Sequence, residues 1–176
     1  LKYLKDIQEQ GMGTWYFEID IDGVAYRQMV YHDDGTCITS NRKHDSYHFM
    51  LAEHPLNAQE SYYKEINQAE FEKLWYEQLQ LGLEDWRRTK TLFPVGTRVE
   101  GYIEAFFPQG TLINLMETPA IGITNTSALK IATPVEWMYP SYRVTAEVSG
   151  YDEVNHWVLL KHAEVIGSQL EEAGHM

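Results

Sequence analysis

Apolar and polar positions alternate along much of this chain, and the alternation predicts strands before any other property is considered. Trp15-Tyr16-Phe17-Glu18-Ile19-Asp20-Ile21 has strand composition, and Asp22-Gly23 is a two-residue hairpin signal because glycine accepts positive φ. Val24 to Tyr31 returns as the partner strand. Asp33-Asp34-Gly35 makes a second turn, Thr36 to Ser40 a third strand, and Ser46 to Leu51 a fourth. The period then changes. Ala69, Phe71, Leu74, Trp75, Leu79 and Leu83 repeat at helical spacing, with Trp86 near the end of the run. Asn67 can accept from an exposed backbone N–H and Glu70 can reach back, so one long helix over about 68–88 is expected to cover an antiparallel sheet. Residues 1–10 read as a short helix or a disordered leader. Residues 1–92 are thus expected to form an α+β domain.

Pro94 follows the basic run Arg87-Arg88-Thr89-Lys90-Thr91, and the domain boundary is placed there. From Gly96 the pattern is strand-rich, with Gly and Pro punctuation. Val99, Gly101, Ile103 and Ala105 share one face of the first strand, which turns Tyr102 and Phe106 outward. Further strands are expected at Leu112–Leu115, from Ala120 into a helical turn at Leu129, at Tyr142–Val148 and at His156–Lys161. Five short strands with a helical turn after the third predict an all-β OB-type barrel over 93–166. Residues 167–176 form a tail, of which Gly174-His175-Met176 reads as a cloning remnant.

Three stretches carry a resemblance. "VGTRVEGYIEAFFPQGTLINL", "AIGITNTSAL" and "YRVTAEVSGYDEVNHWVLLK" resemble, in order, the opening strands, the central signature and the closing hairpin of the S-one RNA-binding domain, an OB-fold family. The resemblance covers about 70 residues and implies binding of single-stranded RNA. It places the binding surface on aromatics beside the turn glycine, on the third strand and on the last hairpin. Here those places hold Gln109 and Leu112 around Gly110, then Asn125, then His156. The outward aromatics Tyr102 and Phe106, with Phe107 beside them and Tyr142 and Trp157 on neighbouring strands, are candidate substitutes, because an exposed ring stacks a base for about 1–3 kcal/mol. Arg98, Arg143 and Lys161 are candidate phosphate partners. The expected nucleic-acid site is therefore Tyr102, Phe106, Phe107, Asn125, Arg143, His156, Trp157 and Lys161. The other reading buries Phe106, Phe107 and Trp157 against the first domain or turns them to another protein, and makes the barrel a protein-interaction module that has lost nucleic-acid binding.

Charge weighs on that choice. The formal net charge is −12, with 10 Lys and Arg against 16 Asp and Glu in residues 1–93 and 4 against 8 in residues 94–166. Neither part is basic, which opposes unspecific nucleic-acid binding and adhesion to anionic membranes. No apolar run approaches the roughly 20 residues of a membrane span. The charged opening residues do not resemble a signal peptide, and the single Cys37 excludes an intramolecular disulfide, so a cytoplasmic protein is expected.

Enzymatic chemistry finds little support. His32, Cys37, His44, His48 and His54 lie close in sequence with Asp33, Asp34 and Asp45 among them. On a strand, however, His44 and His48 stand roughly 13 Å apart, too far for one ion. Cys37 as a nucleophile needs a base, with His32 or His48 as cross-strand candidates. Glu70, Glu72, Glu77, Glu84 and Asp85 read as a solvated helix face. No phosphate-cradling glycine loop and no serine elbow occurs. A non-catalytic binding protein without a cofactor is expected, with single-stranded RNA or another protein as partner and a regulatory or accessory role.

Overall fold

The structure is a computed structural model and describes residues 1–6, 11–44 and 49–169. The chain divides into two compact units, Leu1–Leu83 and Glu84–Met176. The division falls inside the expected long helix and not near residue 92.

The first unit holds strands β1 (Lys2–Asp6), β2 (Thr14–Ile19), β3 (Ala25–Tyr31), β4 (Cys37–Thr39) and β5 (Tyr63–Ile66), followed by helix α1 (Gln68–Leu81). The sheet order is β4-β3-β2-β1-β5. The expected hairpins are present, but the opening residues depart from expectation. Residues 2–6 are neither helix nor leader. They form a strand paired with β2 on one side and with β5 on the other. Its lysines hide this in sequence, yet Tyr3 and Leu4 are both buried, one on each face. The strand expected at Ser46–Leu51 is absent over 49–51, and its remainder lies outside the described residues.

Each face of this sheet has its own cover. Tyr3, Tyr16, Met29 and Ile66 pack against Phe71, Trp75 and Leu79 of α1. On the other face Leu4, Phe17, Ile19 and Ala25 lie under Leu51, Ala52, Leu56 and Ala58. That second cover is a loop, held by Ala52 N–H donating to Gln28 Oε1 at 2.7 Å and Leu56 N–H donating to Gly23 O at 2.9 Å. Asn67 caps α1 as its sequence position implies, accepting from Glu70 N–H at 2.8 Å.

A charged row crosses the α1 face. The register sets Tyr3 opposite Glu18 and Glu18 opposite Arg27. Tyr3 OH donates to Glu18 at 3.0 Å, and Arg27 donates to both Glu18 oxygens at 3.0 and 2.6 Å. Glu72 of α1 accepts from the same guanidinium, whose carbon lies 4.9 Å from the Phe71 ring centre and 5.1 Å from that of Trp75. Glu72 is therefore not part of a solvated helix face. Burial opposes the Arg27 charge, but the bonds from Glu18 and Glu72 outweigh it and hold the group more basic than usual. Burial, with Glu18 alongside, pushes Tyr3 up to about 12.

One long helix does not form. α1 ends at Leu81 with Gly82 as its cap, at φ −107° and ψ 12°, and α2 (Leu83–Leu92) begins at the next residue. Glycine has the poorest helix propensity after proline, so the break falls where propagation is weakest. α2 belongs almost wholly to the second unit.

That unit contains β6 (Arg98–Phe107), β7 (Gly110–Leu115), β8 (Ile121–Thr124), α3 (Thr126–Ile131), β9 (Tyr142–Asp152) and β10 (Trp157–Gln169). The strands close into a barrel in the order β10-β8-β7-β6-β9, with β8 and β10 parallel and the other pairs antiparallel. A closed five-stranded barrel with a helix after its third strand is compatible with an OB fold. Gly101 supports the closure: a Cβ there would stand 2.3 Å from Asn114 O on the neighbouring strand. β10 continues to Gln169, beyond the expected domain end at 166. Residues 170–176 of the expected tail lie outside the described residues.

Arg27→Ala strands the buried Glu18 carboxylate and should cost about 3–5 kcal/mol in urea unfolding of the first unit. Arg27 bonding also holds Glu72 below the usual glutamate value of 4.5. Its contribution is present above that pH and lost as pH falls below it. Glu72→Gln should therefore flatten the acid limb of the stability curve, measured as urea midpoint between pH 5 and 3.

Candidate nucleic-acid interface

The expected site residues spread over the barrel strands and α3, and most have a place in the architecture itself. Trp157 opens β10 at 1% exposure, inside the barrel core. Its ring meets Phe107 edge-on, with centroids 6.1 Å apart and planes at 61°. Trp157 is thus not available for stacking, which corrects the expectation, and Phe107 lies half-buried over it. The two aromatics are together because Phe107 ends β6 at the tight turn into β7, where it pairs with Gly110.

Asn125 is the N-cap of α3, and its Oδ1 accepts from Ala128 N–H at 2.8 Å. Asparagine is favoured there because it satisfies a helix-end donor. Arg143 donates to Glu100 at 2.8 Å across β9 and β6, and Lys161 lies 3.1 Å from Glu147 across β10 and β9. Both cations face carboxylates on neighbouring strands, so binding phosphate there means displacing an acid that is already in place.

His156 is half-buried against an aromatic ring. It sits in the β9–β10 turn with φ 58°, and its imidazole stacks on the Trp86 indole with centroids 5.0 Å apart and planes within 8°. Trp86 is the only buried residue of α2. Its Nε1–H donates to Glu153 at 2.7 Å, Lys90 Nζ lies 2.9 Å from the same carboxylate, and Tyr151 OH donates to Phe93 O at 2.7 Å. Helix α2 is thereby fastened to the hairpin by one indole, one carboxylate and one phenol. Burial lowers the His156 pKa and Lys90 adds to the effect, against the opposing pull of Glu153 and Asp152. Burial would raise Glu153, but the bonds from Trp86 and Lys90 hold it low. The sequence reading placed Trp86 at the end of a longer apolar stripe. The signal for its real role is that it is the one aromatic residue in the otherwise mostly polar segment LEDWRRTKTL.

Two candidates remain directed outward on β6. Phe106 is 43% exposed, and Tyr102 is half-buried. Burial raises the Tyr102 pKa, with Glu104, its hydrogen-bond partner, acting in the same sense. A register shift between Ile103 and Ala105 interrupts the alternation from which both were placed. Other large apolar side chains in this unit are more open, notably Ile131, Val135 and Tyr139, on a segment that carried no expectation.

Among the described residues no group of three or more His, Cys, Asp or Glu could hold a metal ion. His44 Nε2 accepts from Thr39 N–H at 3.0 Å, while His48 and Asp45 lie outside the described residues. Burial pushes the Cys37 thiol up to about 11, so it is protonated at neutral pH and is a poor nucleophile. Among the described residues no helix is long and apolar enough to cross a membrane. No protein-family model, curated protein or solved structure matches this chain.

Trp86→Ala should cost about 3–5 kcal/mol, read by chemical unfolding of the second unit. In the unsubstituted protein the His156 midpoint, followed by NMR, should lie below 6.5, and the substitution should move it back toward that value. A lowered midpoint makes the His156 contribution complete above the ordinary value. It is lost as pH falls from there through the folded-state midpoint.

Proposed function

We propose that this is a non-catalytic binding protein whose barrel engages another protein, in an accessory or regulatory role. The observation that carries this reading is the use made of the residues that the resemblance assigns to RNA. Asn125 caps α3, Arg143 and Lys161 pair with Glu100 and Glu147, His156 lies against Trp86, and Trp157 fills the core. The net charge of −12 adds an unfavourable field for any polyanion.

Exposed Phe106 favours a second reading, binding of single-stranded RNA on β6 beside Tyr102. Base stacking needs only an open ring face, and each stacked ring contributes about 1–3 kcal/mol. The two readings separate cleanly.

Formaldehyde crosslinking of the full chain in cells of its source should give adducts that survive RNase and disappear with protease. Anisotropy of a labelled single-stranded RNA should stay flat at every salt concentration. Salt-sensitive micromolar binding, weakened by Phe106→Ala and Tyr102→Ala in a protein that stays folded, would replace the protein reading with the RNA one.

A further inference from the structure

Resting on the protein-binding reading, we infer that the connection from Ile131 to Tyr139, between α3 and β9, is the docking surface. We further infer that its partner is a cationic protein offering apolar side chains. Ile131, Val135 and Tyr139 are 88%, 86% and 63% exposed within nine consecutive residues. Single exposed apolar residues are ordinary, but several held open in one short segment mark an interaction surface.

The segment is ordered by its own bonds. Thr133 Oγ1 donates to Leu129 O at 2.6 Å, Trp137 N–H to Pro134 O at 3.0 Å and Met138 N–H to Val135 O at 3.1 Å. Ser141 N–H donates to Ile103 O of β6 at 2.8 Å, which ties the end of the connection to the barrel. Between these bonds the Trp137 ring rests on Gly167 of β10, at φ 76°, where a Cβ would come within 2.7 Å of the indole. The three outward side chains are thus presented on a backbone that needs little ordering when a partner arrives, which lowers the entropic cost of association.

Charge selects the occupant. Residues 126–141 carry one cation, Lys130, and one anion, Glu136, so docking there desolvates little charge. The barrel that carries them is itself acidic, with 4 Lys and Arg against 8 Asp and Glu over residues 94–166, and the net charge of the chain is −12. That field draws cationic proteins toward the surface and opposes a second copy of the chain. The contact itself is apolar, and the steering is electrostatic.

The test places the photo-crosslinker p-benzoylphenylalanine at position 135 or 139 of the full chain, with controls at positions 21 and 102, irradiated in cells of its source. Positions 135 and 139 should trap one identified protein that carries net positive charge at neutral pH, and the controls should not. With that protein purified, Val135→Ser combined with Tyr139→Ser should raise Kd at least tenfold while leaving the thermal midpoint of the second unit unchanged. Added salt should weaken binding. Adducts at position 102 alone would overturn this surface and leave the protein-binding reading standing. Trapping of a second copy, or of an acidic protein, would overturn the occupant. Silence at all four positions while formaldehyde gives RNase-resistant adducts would again refute the surface alone. Silence in both experiments would refute the underlying reading with it.

Discussion

A buried guanidinium organises the first unit. Arg27 reaches Glu18 from the adjacent strand and Glu72 from the covering helix, and its flat faces lie against Phe71 and Trp75. A cation so far removed from water is tolerated only when its donors are met, and an arginine fork meets carboxylates from two directions as a lysine cannot. Strand register and helix position are coupled through this one side chain. Slipping β2 against β3 by one residue would turn Glu18 to the opposite face and leave Arg27 with half its partners. Translating α1 would withdraw Glu72 and the two rings together. The apolar cluster around it, Tyr16, Met29, Ile66 and Leu79, contributes most of the burial. The ionic row joins β2, β3 and α1 through one side chain.

The second unit uses a related device at its margin. Trp86 lies flat on His156 while its N–H meets Glu153, and Lys90 meets the same carboxylate, so a mostly polar helix is fastened to the β9–β10 hairpin around one indole. On the last hairpin, where the resemblance to the S-one family implies a cation for RNA, His156 is half-buried against Trp86 of α2. The neighbouring cations are balanced strand by strand by Glu100 and Glu147. A closed five-stranded barrel compatible with an OB fold does not by itself carry the surface chemistry of an RNA-binding protein, because fold and function are separable. The large apolar side chains Ile131, Val135 and Tyr139 stand exposed on the connection that follows α3, which carries few charges.

Much of this was legible along the chain. Strand composition and turn residues located β2, β3 and the barrel strands, and period-two alternation is clear in β6 and β9, which have one face toward the barrel core and one away from it. Asn67 before the stripe located the start of α1 through the chemistry of its own side chain. β1 was not legible, since five residues with two lysines and an aspartate carry too little pattern. Its identity as a central strand arises only when β2 and β5 arrive from either side. The loop that covers the second face of the sheet has no period at all, and its role exists only in contact with Phe17 and Ile19.

The candidate site divides along the same line. Sequence by itself determined which residue types stand near the turn glycine and on the last hairpin, and it determined the acidic balance, because these are properties of order and composition. Only the tertiary structure decided whether each side chain is spent or available. Trp157 points inward because the barrel closes around it, and Lys161 and Arg143 are paired because strands distant in sequence bring Glu147 and Glu100 alongside. His156 is covered because the helix breaks at Gly82 and its second half joins the barrel. Availability is a relation between residues far apart in the chain, and such a relation is set by packing, which local pattern does not encode.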